Sequence, residues 1–315
     1  MAVVAALAAG CGGPTAPTPS PGGPPVLTCP GTVAAVAASD AGAFVTFKLP
    51  FTTGGREPFA ISCTPASGLL FPVGTTTVSC SVTDASAATG ACTFPVQVAP
   101  VPRLTLTRFM AFGDSITAGE VTVPVANATT PGGAPEYRQI VVPPASYPSV
   151  LSEQLRQRYV VQSVTVVNAG RPGDAAATAF PRFQAAMSTN RPEVVLLLMG
   201  YNDLENRSTT DAAYQALERM AKDARGRGAR GFLGTLTPSI QGRSRSQIES
   251  LVLRLNDSIR TLAAGENAVL VDLYRAALPN VEAWIGVDGL HPTEAGYARI
   301  AEQFFTAIRI DLEAR

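Results

Sequence analysis

From residue 105 onward, short apolar runs alternate with amphipathic stretches, and nothing else in the sequence constrains the fold as tightly. The runs lie at 105–112, 163–168, 193–199, 231–236 and 268–272, with helix-like stretches near 148–158, 175–188, 209–226, 245–264 and 293–311. Runs such as Val194-Val195-Leu196-Leu197-Leu198 are apolar at every position, so both faces of each strand must be covered. That pattern predicts an α/β fold, a parallel sheet between two layers of helices. Ile300, Phe304, Phe305 and Ile308 recur at helical spacing and mark a core-facing stripe. In such sheets ligands bind beyond the carboxyl ends of the strands.

The first hundred residues are built differently. The cysteines are Cys11, Cys29, Cys63, Cys80 and Cys92, and none follows Cys92. The stretches at 45–47 (VTF), 75–82 (TTTVSCSV) and 92–98 (CTFPVQV) are short, Thr- and Val-rich and bounded by turns, which predicts a small antiparallel sandwich. Four cysteines in such a segment suggest disulfides and an oxidising compartment. No Cys-x-x-Cys pair is present, so a zinc site is not expected. Residues 26–99 resemble a hyalin repeat (HYR), an immunoglobulin-like module, through Cys29-Pro30, Phe71-Pro72-Val73-Gly74-Thr75-Thr76-Thr77-Val78, Thr83-Asp84 and Cys92-Thr93-Phe94. The resemblance implies the pairs Cys29–Cys92 and Cys63–Cys80, one of three connectivities open to four cysteines, and a role in adhesion or spacing.

Residues 1–10 (MAVVAALAAG) are apolar and end in small residues before Cys11, which resembles a bacterial lipoprotein signal. The resemblance implies lipidation of Cys11 and attachment to a membrane; a secretory leader without lipid is the alternative, and both export the protein. Residues 12–25 contain little but Gly, Pro, Thr and Ser and read as a spacer. The expected organisation is therefore a leader at 1–11, a spacer at 12–25, a β-sandwich at 26–99, a linker at 100–103 and an α/β domain at 104–315.

Four short signals fall where the predicted strands end: Gly113-Asp114-Ser115, Asn168 to Asp174, Gly200-Tyr201-Asn202-Asp203, and Asp288-Gly289-Leu290-His291-Pro292. Ser115 sits on a strand-to-helix turn, a position that suits a nucleophile and equally a helix N-cap. A serine hydroxyl needs a base, and His291 is the only histidine in the chain. An imidazole base needs an acceptor to fix its tautomer, and Asp288 is three residues away, with Asp203 the next carboxylate. An oxyanion needs donors: the Ser115 N–H, the N–H of a glycine after the second strand, and the Asn202 amide are available.

This set resembles the GDSL, or SGNH, hydrolases over about residues 104–315. By that resemblance the fold is flavodoxin-like, Ser115 is the nucleophile, His291 the base and Asp288 its partner. Ser115, Gly173 and Asn202 form the oxyanion hole, with Gly170 the alternative glycine. Ile116 stands where the family has leucine. The resemblance implies an enzyme that needs no metal or cofactor and acts on short-chain acyl esters, lysophospholipid-like lipids or acetylated sugars; a monomer is expected. A surface-binding protein with an inert hydrolase domain is the reading from another class. Lys+Arg and Asp+Glu both number 24, so no charge excess points to nucleic acid. Residues 119–146, rich in Pro and Gly, read as a long loop forming a wall or lid of the cleft.

Overall fold

The computed structural model describes residues 23–129, 135–205 and 210–314. The leader, Cys11 and most of the spacer lie outside them. The chain divides into two compact units, and the division falls after Val101.

The first unit is β-rich. Its strands are β1 (Val26–Thr28), β2 (Val33–Val36), β3 (Ala43–Phe44), β4 (Phe51–Thr53), β5 (Ala60–Thr64), β6 (Leu70–Phe71), β7 (Gly74–Thr83) and β8 (Thr89–Ala99). One sheet has the order β2-β8-β7-β5, while β1 pairs with β4 and β3 with β6. The two long strands alternate as half-buried strands should: Val78, Cys80 and Val82 point inward on β7, and Phe94, Val96 and Val98 on β8. Cys80 has Cys63 as its Cα partner on β5 and Cys92 on β8. The disulfides join Cys63 to Cys80 and Cys29 to Cys92. Residues 45–47, read above as a strand, belong to no ladder. The Ser67 hydroxyl bonds both the Phe47 N–H and the Phe47 carbonyl, and Gly68 and Leu69 satisfy Val45, so a loop takes the place of a partner strand.

The second unit holds a five-stranded parallel sheet in the order β12-β9-β13-β14-β15. The strands are β9 (Arg108–Gly113), β12 (Thr165–Gly170), β13 (Val194–Leu198), β14 (Arg230–Gly234) and β15 (Val269–Val271). In order of appearance this is 2-1-3-4-5, the flavodoxin-like winding, with its switch point between the carboxyl ends of β9 and β13. Helices α2 (Tyr147–Arg158) and α8 (Glu294–Leu312) pack together, with the Tyr147 and Phe304 rings stacked at 5.2 Å. The partners α3 (Ala176–Asn190), α5 (Asp211–Gly226) and α6 (Glu249–Gly265) pack against one another in turn or share contacts with the sheet. Phe304 and Ile308 are fully buried on α8.

Residues 119–146 are mostly not a loop. They form an antiparallel hairpin, β10 (Glu120–Thr129) and β11 (Pro135–Val141), followed by a 3-10 turn at Pro143–Ala145. The period-two pattern is present in the sequence: Val121, Val123 and Ile140 turn toward the core, while Glu120, Thr122 and Gln139 lie on the other face. Its prolines obscured it. Pro124 stands opposite Tyr137 in a two-stranded ribbon, where a missing N–H breaks no central ladder.

The two ends of this unit are tied together. The Thr105 N–H bonds the Leu312 carbonyl at 2.9 Å and the Ala314 N–H bonds the Arg103 carbonyl at 2.7 Å. The Glu313 carboxylate receives Arg158 and Tyr159, each at 2.7 Å. The main buried cluster draws only on residues between Leu104 and Leu312, and no cysteine lies there. A fragment beginning at Pro102 is therefore expected to fold alone and to melt at the same temperature with and without reductant. A circular-dichroism melt checks this; a fragment without cooperative unfolding would mean that the first unit completes its core.

Candidate active site

β9 ends at Gly113, packed so tightly that a Cβ there would run into the Leu198 carbonyl and the Thr117 hydroxyl. The chain then turns into α1 (Ser115–Ala118), a single helical turn closed by Gly119 in the left-handed region at φ 93°. Asp114, not Ser115, is the N-cap: its Oδ1 accepts the Ile116 N–H at 3.0 Å. Ser115 is thus released from capping. The Asp114 Oδ2 is buried and, among the described residues, makes no close hydrogen bond, the Gly200 N–H being the backbone donor that faces the carboxyl. Burial pushes this carboxyl up to about 7, against the Ile116 N–H and the nearby imidazole.

The Ser115 hydroxyl meets His291 Nε2 at 2.9 Å, across 176 residues of chain. His291 Nδ1 meets Asp288 Oδ2 at 2.6 Å. The Asp288 loop is locally over-determined: Oδ1 accepts the N–H groups of Leu290 and His291 at 3.0 Å each. Gly289 adopts φ 85° where a Cβ would strike the Arg243 side chain. The Oδ2 atom accepts a further bond from the Thr122 hydroxyl on β10 at 2.7 Å. Burial raises the Asp288 carboxyl, but the bonds from His291, Leu290 and Thr122 outweigh it and hold the group well below the carboxylate range. Asp288 is ionised and faces Nδ1, so that nitrogen carries the ring proton and Nε2 is left to accept from Ser115.

The candidate oxyanion donors lie beyond β12 and β13. Gly170 and Gly173 separate clearly. The Gly170 N–H is bonded to Asn168 Oδ1 at 2.9 Å, and a Cβ at Gly170 would clash with the α1 backbone, so that glycine serves packing. Gly173 takes φ 78° with open space around it, and no backbone acceptor for its N–H is found among the described residues. The Asn202 amide, at the start of α4 (Tyr201–Leu204), donates one N–H to the Asp174 carbonyl at 2.9 Å, which fixes the side chain and leaves its second N–H.

Asp203, the reserve carboxylate of the sequence reading, does not face His291 as its partner. It is buried and caps α3, accepting the N–H groups of Ala176 at 2.6 Å and Ala177 at 2.9 Å. Three supporting residues escaped the sequence reading. Thr122 holds Asp288. Glu120 Oε1 lies 3.5 Å from His291 Nε2. Arg182 on α3 bonds Asp174 and the carbonyls of Ala169 and Gly113, at 2.6 and 2.9 Å for the carbonyls, so it braces the ends of β9 and β12. No local motif announces any of the three; only the alternation of β10 placed Glu120 and Thr122 on one face.

A 2-1-3-4-5 parallel sheet with a serine at its switch point, faced by a His-Asp pair, is the architecture of a flavodoxin-like α/β hydrolase. Residues 111–299 match the GDSL-like lipase/acylhydrolase family, and residues 22–98 match the HYR domain. The chain belongs to the GDSL-like lipase/acylhydrolase family and is a hydrolase of ester bonds. It is 28% identical to esterase TesA of Pseudomonas aeruginosa over 145 residues, which are 46% of this chain and 69% of TesA. The lipase/acylhydrolase of Enterococcus faecalis shares the fold with a TM-score of 0.52 at 23% identity, covering 67% of this chain and 99% of that one. An acetyl xylan esterase, AlAXEase, shares it at a TM-score of 0.50 and 20% identity, covering 63% and 98%.

Proposed function

We propose that the chain is an exported serine ester hydrolase that works through an acyl-enzyme on Ser115. The observation that carries this reading is the hydrogen-bonded line from Ser115 through His291 to Asp288. Ser115 Oγ attacks the ester carbonyl and passes its proton to His291 Nε2. The N–H groups of Ser115 and Gly173 and the free N–H of Asn202 receive the oxyanion. Nε2 returns the proton to the leaving alcohol. Water then enters, gives a proton to Nε2 and attacks the acyl carbon; the bond to Ser115 Oγ breaks, the acid leaves, and Nε2 returns the proton to Oγ. Asp288 stays ionised throughout and stabilises the imidazolium.

Export is supported by the two disulfides of the first unit, which persist in oxidising compartments. The Cys11 leader would carry the chain out and, if lipidated, hold it at a membrane. The HYR unit then serves as a spacer or adhesive module. Among the described residues no helix is long and apolar enough to cross a membrane.

A fluorophosphonate probe is expected to modify the native protein at one site, read by mass spectrometry on the peptide containing Ser115, and to abolish hydrolysis of a soluble acetate ester in parallel. Labelling elsewhere, or none in a folded protein, favours the inert binding module over the enzyme.

A further inference from the structure

The site contains a carboxylate that the acylation chemistry does not use. Glu120 opens β10, and its side chain is 12% exposed. Its Oε1 stands 3.5 Å from His291 Nε2, the nitrogen that also meets Ser115 Oγ at 2.9 Å. Among the described residues no Lys or Arg pairs with Glu120, and no N–H or hydroxyl donates to its carboxylate. The backbone beneath it is held firmly. The Tyr297 hydroxyl, fully buried on α8, donates to the Glu120 carbonyl at 2.6 Å; Val141 faces Glu120 in register; and Thr122, two residues on along the same face, is bonded to Asp288. The carboxylate keeps only a narrow opening to water and has a single imidazole as its charged neighbour, so a ligand seated over it must supply the hydrogen bond that water gives it now.

The reaction indicates what does so. Nε2 hands its proton to the leaving oxygen, so that oxygen must come within hydrogen-bond reach of Nε2. A hydroxyl on the carbon beside the ester oxygen then falls within reach of Glu120 Oε1. Glu120 gains and loses no proton in this arrangement; it accepts a hydrogen bond from the alcohol half of the ester. The surface further along the hairpin agrees. A cavity of about 250 Å³ borders Thr122 and Asp288, lined by Tyr137, Gln139, Ser244, Arg138 and Arg245, with Val287 its one aliphatic residue. That lining mixes donors and acceptors with an aromatic ring, on the face of the hairpin that also carries Glu120.

We propose that Glu120 is a specificity-determining residue, selecting esters whose alcohol half is polyhydroxylated, of sugar or glycerol type, with a free hydroxyl beside the ester oxygen. The inference rests on the reading of Ser115 as the nucleophile and names the substrate class of that same site. A plain alkyl alcohol would strip water from Glu120 and return nothing, whereas a vicinal hydroxyl restores a charge-assisted bond.

The test uses the full chain and four acetates: propyl acetate, glycerol 1-acetate, a mono-O-acetylated methyl xyloside and acetylcholine. The two polyol acetates are expected to exceed propyl acetate at least about tenfold in kcat/KM. In Glu120→Gln and Glu120→Ala that ratio should collapse toward unity, and whichever polyol ester leads identifies the sugar or the glycerol source. The proposal is overturned if wild type shows no preference, if acetylcholine leads, if the ratio survives both substitutions, or if all four esters fall by the same factor, since that last result would mean Glu120 acts only through His291. Should both variants fail to fold, the wild-type ratios still decide. A folded wild-type protein that hydrolyses none of the four and takes no fluorophosphonate would instead remove the underlying reading.

Discussion

Ser115→Ala is expected to lose ester hydrolysis by about 10⁴–10⁶-fold while the protein folds as before. The rate loss follows from geometry: among the described residues the Ser115 hydroxyl has one partner, His291 Nε2. The preserved fold follows from the division of labour at the turn. Asp114 caps α1, so removing the Ser115 oxygen leaves every backbone bond of that turn in place. The midpoint of thermal unfolding should move by no more than about 2 °C. Turnover of a soluble acetate ester and a melting curve, measured on the same preparation, check both halves. A well-folded variant that kept more than a tenth of the activity would take Ser115 out of the chemistry.

The second large effect is on stability, and its sign depends on pH. The Asp114 carboxyl is buried and raised to about 7, from 3.8 when unperturbed. Below about pH 4 the acid is neutral in both the folded and unfolded chains, and it costs nothing. As pH rises the unfolded chain ionises first, so stability falls, and the loss is complete once the folded group ionises near 7. The difference corresponds to on the order of 4 kcal/mol. Asp114→Asn cannot ionise but keeps an oxygen for the Ile116 N–H. Relative to wild type, the variant should therefore gain roughly 10 °C in melting temperature on going from pH 4 to pH 8. Any fixed packing cost of the amide cancels in that comparison. Parallel melting-temperature profiles for the two proteins would show that Asp114 does not carry this penalty.

The strand ends were legible because each is followed by residues whose chemistry has few other uses in that setting. Ser115 and Asn202 each follow a strand of the parallel sheet, Asp288 and His291 lie in the loop that leads into α8, and the single histidine leaves no choice of base. The alternating helices and strands are legible because the central strands are covered on both faces, most completely β13, where all five residues are apolar and buried. The hairpin was not, since its prolines and glycines carry the same signal as a loop; only its ladder shows where Pro124 and Tyr137 face each other. Asp203 resembles a spare partner for His291 because carboxylates near a site look alike in sequence. Its bonds to Ala176 and Ala177 depend on a fold-level approach of α4 to α3 that no local pattern encodes. Glu120, Thr122 and Arg182 were missed for a related reason: a glutamate or threonine on an edge ribbon, or an arginine on a helix, reads as solvent-facing until its partner is placed.

The bonds that join Arg103 to Ala314 and Thr105 to Leu312 make the catalytic unit a cassette with both of its wires at one pole. β9 leaves that pole at Arg108 and delivers Ser115 at the other. The Arg158–Glu313 clasp adds a side-chain tie at the same pole, holding the end of α2 to the residues that follow α8. The serine and histidine turns lie at the opposite rim of this unit, so the bonds that close its two ends and the bonds that align Ser115 with His291 share no residue.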